Sequence, residues 1–163
     1  MNIIIKKHLL IYRGYKIKCC IGKSGTKKMK REGDLATPKG LFGLGPLYYR
    51  ADRNKKFKCK IKKKKITKKM GWCDDSKSKK YNKEIIFPFK PSAEKLYRND
   101  NIYDIFIVIK YNTKPIIKNK GSAIFLHLTN NKYKATRGCV AILKKDFIKI
   151  LPLINKNTKV YIY

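Results

Sequence analysis

Apolar residues along this chain recur at every second position or gather in short unbroken runs, and both patterns predict β-strands. Ile3–Ile5 and Leu9–Tyr12 are short runs, while Tyr15–Ile21 alternates Tyr15, Ile17 and Cys19 with Lys16 and Lys18. Arg13-Gly14 between the last two segments reads as a hairpin turn. Gly22–Gly40 is a loop rich in Gly, Ser and Lys, and Leu41–Leu44 resumes an apolar strand that Gly43, Gly45 and Pro46 interrupt. Residues 51–69 read as a basic connector. Ile85–Phe89 predicts a brief strand stopped by Pro88 and Pro91. Asp104–Lys110 encloses Ile105-Phe106-Ile107-Val108-Ile109, a run suited to a fully buried strand, and Ser122–Leu128 is another. Lys159–Tyr163 closes the chain with Val160 and Ile162 alternating.

Two segments carry helical signals. Ser92 can cap a short helix through Arg98, with Glu94 in its first turn, where the helix dipole favours an acid. Lys144–Leu151 sets Phe147, Ile150 and Leu151 on one helical face and stops near Pro152. No internal repeat is present. The expected architecture is a mainly β domain with two short helices around a sandwich or barrel-like core. A chain of 163 residues is one domain's worth, so residues 1–163 are expected to form it.

The formal net charge of +32 raises the question of a polyanion partner. Of the 42 basic residues only six are Arg, at positions 13, 31, 50, 53, 98 and 137. Arg is the residue suited to bidentate phosphate and base recognition, whereas Lys is a solvated point charge. Most of the positive charge therefore reads as solvated Lys faces, including the dense run from Lys55 to Lys69. No specific nucleic-acid site is expected, and a basic binding protein for nucleic acid or an anionic wall polymer stands as the alternative class.

Five cysteines (19, 20, 59, 73 and 139) form no CxxC pair and no disulfide framework. Their spacing suggests no metal site. Cys19, Cys20 and Cys59 read as small apolar filler. The N-terminus lacks the apolar stretch and cleavage site of a signal peptide, and no segment approaches the ~20 apolar residues of a membrane span.

The informative stretch runs from Gly121 to Ile142. An apolar strand delivers His127, and a tight Thr136-Arg137-Gly138-Cys139 turn follows before a second apolar run. Thiolate is the nucleophilic form of cysteine, and a nearby His and Arg both favour it. His127 and Cys139 meet if the segments flanking residues 129–136 pair as a hairpin. Gly138 lets a carbonyl approach the backbone, so that the N–H groups of Gly138 and Cys139 can face a developing oxyanion. Arg137 is available to a substrate carboxylate or to steady the turn. The bland alternative makes Cys139 a core thiol and His127 an ordinary strand residue.

The order His, spacer, Thr136-Arg137-Gly138-Cys139-Val140 resembles the signature of the L,D-transpeptidase catalytic domain, the YkuD-like domain. Gly33-Asp34-Leu35-Ala36-Thr37-Pro38-Lys39-Gly40 is similar to that family's Gly-Asp…Thr-Pro segment. Gly71-Trp72-Cys73-Asp74-Asp75, Tyr111-Asn112 and Gly121–His127 resemble segments of a small single-domain branch, in the family's order. The chain departs from the common pattern at Leu128-Thr129, at Thr136, where Ser is commoner, and in a short His–Cys spacer.

The resemblance implies a β-rich catalytic domain in which Cys139 attacks the bond between an L-centred diamino acid and D-Ala in a peptidoglycan tetrapeptide stem. A thioester forms, and an amine of a second stem resolves it to a 3→3 cross-link, with His127 moving the protons. Water as acceptor would make the same fold an L,D-carboxypeptidase or cell-wall hydrolase. Thr136, Arg137 and Gly138 would serve the oxyanion and substrate positioning. Trp72, Asn112 and Asp34 are candidate cleft residues, each with a structural alternative: core, loop and turn respectively. The resemblance implies no metal or organic cofactor, a monomer, stem peptides as donor and acceptor, and work at the bacterial cell envelope. There the family's work bears on cell-wall organisation and cell shape.

Overall fold

The computed structural model describes residues 1–54 and 56–163, so Lys55, at the start of the basic run, lies outside the described residues. The chain opens with an antiparallel meander of β1 (Ile3–Lys6), β2 (Leu9–Tyr12) and β3 (Tyr15–Lys18). The expected turn joins β2 to β3, and both of its residues are left-handed, Arg13 at φ 47° and Gly14 at φ 84°. That is the backbone whose twist matches a two-residue hairpin.

The next segment is less plain than a loop. It contains the two-residue strands β4 (Thr26–Lys27) and β5 (Thr37–Pro38), paired in parallel. Strand β6 (Gly40–Tyr49) then runs ten residues, straight through the glycines and the proline that were expected to break it. A register shift accounts for this. Ile107 faces Leu47 but Ile109 faces Leu44, so β6 carries one extra residue beside Gly45-Pro46. A bulge is where a strand tolerates a residue with no N–H to donate.

Within the basic connector, β7 (Lys63–Lys65) pairs in parallel with β6. A second, three-stranded sheet follows, built from β8 (Met70–Cys73), β9 (Glu84–Ile86) and β10 (Ala93–Lys95). β10 replaces the helix expected from Ser92 to Arg98. Its residues pair with Cys73, Trp72 and Gly71 of β8, and Leu96 beyond it is fully buried. So short a helix has too few internal bonds to compete with such pairing.

The chain then enters β11 (Ile105–Ile109), every residue of which is buried, followed by β12 (Phe125–Thr129) and β13 (Val140–Leu143). The helix α1 (Lys144–Ile150) follows directly and buries Phe147 and Ile150. A 3₁₀ turn at Leu151–Leu153 and β14 (Lys159–Ile162) end the fold. Among the described residues there is thus one α-helix rather than two. Emptying the Phe147 site would cost about 3–5 kcal/mol.

The main sheet runs β13-β12-β11-β6-β14-β1-β2-β3. Its two ends meet: Cys20, just past β3, exchanges hydrogen bonds with Ala141 of β13 at 2.8 and 3.0 Å. The result is barrel-like, as expected. Alternation on each strand sorts the apolar side chains into two cores. Ile105, Ile107, Leu126, Leu128 and Val140 fill the interior. Phe106, Val108 and Phe125 face the other way and pack with Trp72 and Leu96 of the second sheet.

Candidate active site

Cys139 and His127 lie on the face of the barrel wall that meets the second sheet. The strands that carry them run parallel, with Leu126 opposite Val140 and His127 opposite Ala141. This corrects the expected hairpin. The ten residues from Asn130 to Cys139 cross back along the barrel instead, held where Thr136 exchanges backbone bonds with Ile21 and Lys23 at 2.9 Å. Parallel pairing brings Cys139 beside Phe125, whose N–H donates to its Sγ at 3.3 Å. His127 is two residues further along the same face. Strand spacing of about 4.8 Å and a rise of about 3.3 Å per residue put the two Cα atoms roughly 8 Å apart.

Both side chains are nearly closed off, Cys139 8% and His127 7% exposed. The thiol donates to the Ala123 carbonyl at 3.1 Å. His127 Nδ1 lies 2.8 Å from Leu128 O. A carbonyl only accepts, so Nδ1 carries the hydrogen and Nε2 keeps its lone pair. Tyr103 meets the imidazole edge-on, ring centres 5.4 Å apart. No hydrogen bond joins Sγ to the imidazole.

Burial sets the charge states. It pushes the Cys139 thiol up to about 12, with Glu94 adding to the shift, against the Phe125 N–H and Lys30. Burial likewise pulls the His127 imidazole down to about 4. The resting site is a neutral thiol beside a neutral imidazole. The expected thiolate is not formed, because desolvation outweighs the nearby cations.

The other residues singled out from the sequence divide by duty. Asp34 holds its turn: its carboxylate takes Lys30 Nζ at 2.6 Å and the N–H groups of Arg31 and Ala36 at 3.0 Å each. Partial burial works upward on this carboxyl, but Lys30 and the two N–H donors hold it below the usual range. Trp72 is core, edge-on to Phe125 at 5.2 Å, and its Nε1 donates to Asn82 at 3.0 Å. Asn112 fastens its own loop through Ile117 and Gly121. It also borders a groove of about 350 Å³ whose lining includes neither Cys139 nor His127.

Thr136 is a brace. Its hydroxyl donates to the Cys139 carbonyl at 2.6 Å and accepts the Gly138 N–H at 3.1 Å. The Gly138 N–H is therefore engaged, whereas the Cys139 N–H makes no hydrogen bond among the described residues. Arg137 is exposed on the rim.

Four residues at the site escaped the sequence reading. Tyr103 and Ala123 touch the pair directly. Asn82 ties the site together, accepting from Trp72 and the Ala123 N–H at 3.0 Å each while donating to Asn112 O at 2.7 Å. Glu94, read as a helix-start acid, stands opposite Trp72. Burial pushes its carboxyl up, against Tyr103, Arg98 and Arg137. The one signal for Glu94 lay in composition, since acids are scarce here.

A mainly β barrel carries the candidate cysteine and histidine on one face, at two neighbouring parallel segments. The chain matches the family model of the L,D-transpeptidase catalytic domain (YkuD) over residues 3–162 and belongs to that family. No curated protein and no solved structure matches the chain.

Proposed function

We propose that the chain, acting as one catalytic domain, is a peptidoglycan L,D-transpeptidase with Cys139 as nucleophile and His127 as its base. The observation that carries this reading is the placement of both side chains on one sheet face, with His127 Nδ1 committed to Leu128 O and Nε2 free. The family to which the chain belongs acts on peptidoglycan stem peptides.

A neutral imidazole accepts a proton and a neutral thiol supplies one, so the resting charge states suit a transfer that accompanies attack. Sγ bonds to the carbonyl carbon of the L-centred residue while its proton passes to Nε2. The C–N bond to D-Ala then breaks, and the imidazolium returns the proton to the departing amine. The thioester left on Cys139 is attacked by an amine of a second stem, which gives up a proton as the thiol is restored. The unpartnered Cys139 N–H supports an oxyanion role for that group. Gly138 serves by shape, Thr136 by bracing the turn, and Arg137 is placed to receive a substrate carboxylate. This work belongs at the cell envelope.

The test is incubation with a disaccharide-tetrapeptide, read by mass spectrometry. Loss of D-Ala and a 3→3 dimer are expected. Full turnover by Cys139→Ala would overturn the reading.

A further inference from the structure

Side chains alternate between the two faces of a strand, so the barrel turns one row of each strand into its core and the next outward. On β1, β2 and β14 the inward row is buried, with Ile3, Ile5, Leu10, Val160 and Ile162 in it. The outward row is expected to be polar, and here it is not. Pairing sets Ile11 opposite Ile4, Ile4 opposite Tyr161, and Tyr161 opposite Leu41, an unbroken apolar row across β2, β1, β14 and β6. With strands about 4.8 Å apart the row spans roughly 15 Å. Tyr163 packs beside Tyr161, ring centres 4.3 Å apart. Leu41 is 50% exposed, Tyr163 47% and Tyr161 38%. Isolated apolar side chains on a surface are ordinary, whereas a continuous row marks a place where something docks.

Lysines border this row. Lys16 stands opposite Ile11, and Lys6 and Lys18 stand on either side of Leu9. Lys159 is opposite Gly43, beside which the Lys110 stem also lies. No Asp or Glu occurs in β1, β2, β3 or β14, nor between Gly40 and Leu44. None of these five lysines has an acid within ion-pair distance among the described residues. Charge and shape together select the occupant. A second copy would set lysine against lysine between two molecules of net charge +32 each. An added strand has no edge to join, because each of the four strands already has a neighbour on both sides. A soluble polyanion would meet the lysines and leave the apolar row in water. A bilayer with anionic headgroups answers both features: its phosphates attract the lysines, and its interfacial layer takes up Leu, Ile and above all Tyr.

We propose that this face of the barrel rests on an anionic lipid surface, with Ile4, Ile11, Leu41, Tyr161 and Tyr163 in the headgroup layer and the bordering lysines against lipid phosphates. Long lysine stems can lie along the apolar row while their ammonium groups reach those phosphates. The contact uses neither Cys139 nor His127, so it stands or falls apart from the proposed reaction.

The experiment oxidises the native protein with hydroxyl radicals and maps the modified residues by mass spectrometry. It is done on the protein alone, with vesicles of equal parts phosphatidylglycerol and phosphatidylcholine, and with soluble polyphosphate. Vesicles should protect Leu41, Tyr161 and Tyr163, and polyphosphate should leave them as reactive as in the protein alone. Equal oxidation with and without vesicles overturns the proposal. So does equal protection by polyphosphate, or protection that rises with protein concentration alone, which would mark a second copy. This footprint needs no variant to fold. Leu41→Ser together with Tyr161→Ser leaves the net charge unchanged and should weaken cosedimentation with the vesicles roughly tenfold, with polyphosphate binding intact. Unchanged vesicle binding by that variant would show attraction by charge alone and overturn the docking face.

Discussion

Gly138 lies so close to Ala36 that a Cβ on the glycine would come within 2.9 Å of the Ala36 carbonyl oxygen. Gly138 also holds φ at +136°, a backbone conformation that side chains disfavour. The Gly33–Gly40 segment and the Cys139 turn are therefore locked together, and Thr37 adds a bond from its hydroxyl to the Cys139 carbonyl at 3.4 Å. Gly138→Ala should lower stability by about 3 kcal/mol, because the obstacle is backbone and the strain adds to it. Urea unfolding measures this, and a loss below about 1 kcal/mol would contradict the lock.

The two buried titrating groups bound the pH range of stability. His127 binds its proton with a pKa near 4 when folded, against 6.5 as its ordinary value. Below pH 6.5 the unfolded chain takes a proton that the folded one refuses, so stability falls from pH 6.5 toward 4. The loss is at most about 3 kcal/mol. Cys139 acts at the other end: from its ordinary value of 9.0 up to about 12 the unfolded thiol ionises and the folded one does not, so stability falls as pH rises. Denaturant midpoints across pH should trace this dome, and His127→Gln should flatten its acid side.

Resting Cys139 should resist alkylation. With its thiol near 12, iodoacetamide at pH 7 should label the native protein at Cys139 far more slowly than the unfolded chain, with the rate climbing only above pH 9. Peptide mapping after timed quenching reads the result. Rapid labelling at pH 7 would mean a thiolate already present in the free protein.

Asn82 joins three segments: β8 through Trp72, the Tyr111-Asn112 turn, and Ala123. Asn82→Ala strands the Trp72 Nε1–H and the Ala123 N–H without an acceptor, which should cost roughly 2–4 kcal/mol. It should also loosen the Ala123 carbonyl that accepts the thiol proton, so Cys139 labelling should quicken. A destabilised variant with unchanged labelling would confine Asn82 to a structural duty.

Much of this protein is written locally in its residues. The all-apolar run Ile105–Ile109 suited a strand buried on both faces, and it is one. The turn at Arg13-Gly14 and the helix at Lys144–Ile150 likewise follow from neighbours in the chain. Cys139 and His127 could be singled out as a candidate pair for the same reason, since both sit within one stretch. Other features depended on partners far away in sequence. Ala93–Lys95 became a strand because β8 offered it an edge, and β12 and β13 run parallel because the connecting chain is tied to Ile21 and Lys23. The neutral thiol and imidazole follow from desolvation, which is a sum over everything that surrounds a group. Period and turn chemistry are properties of adjacent residues. Pairing partners and charge state exist only once the chain has closed on itself.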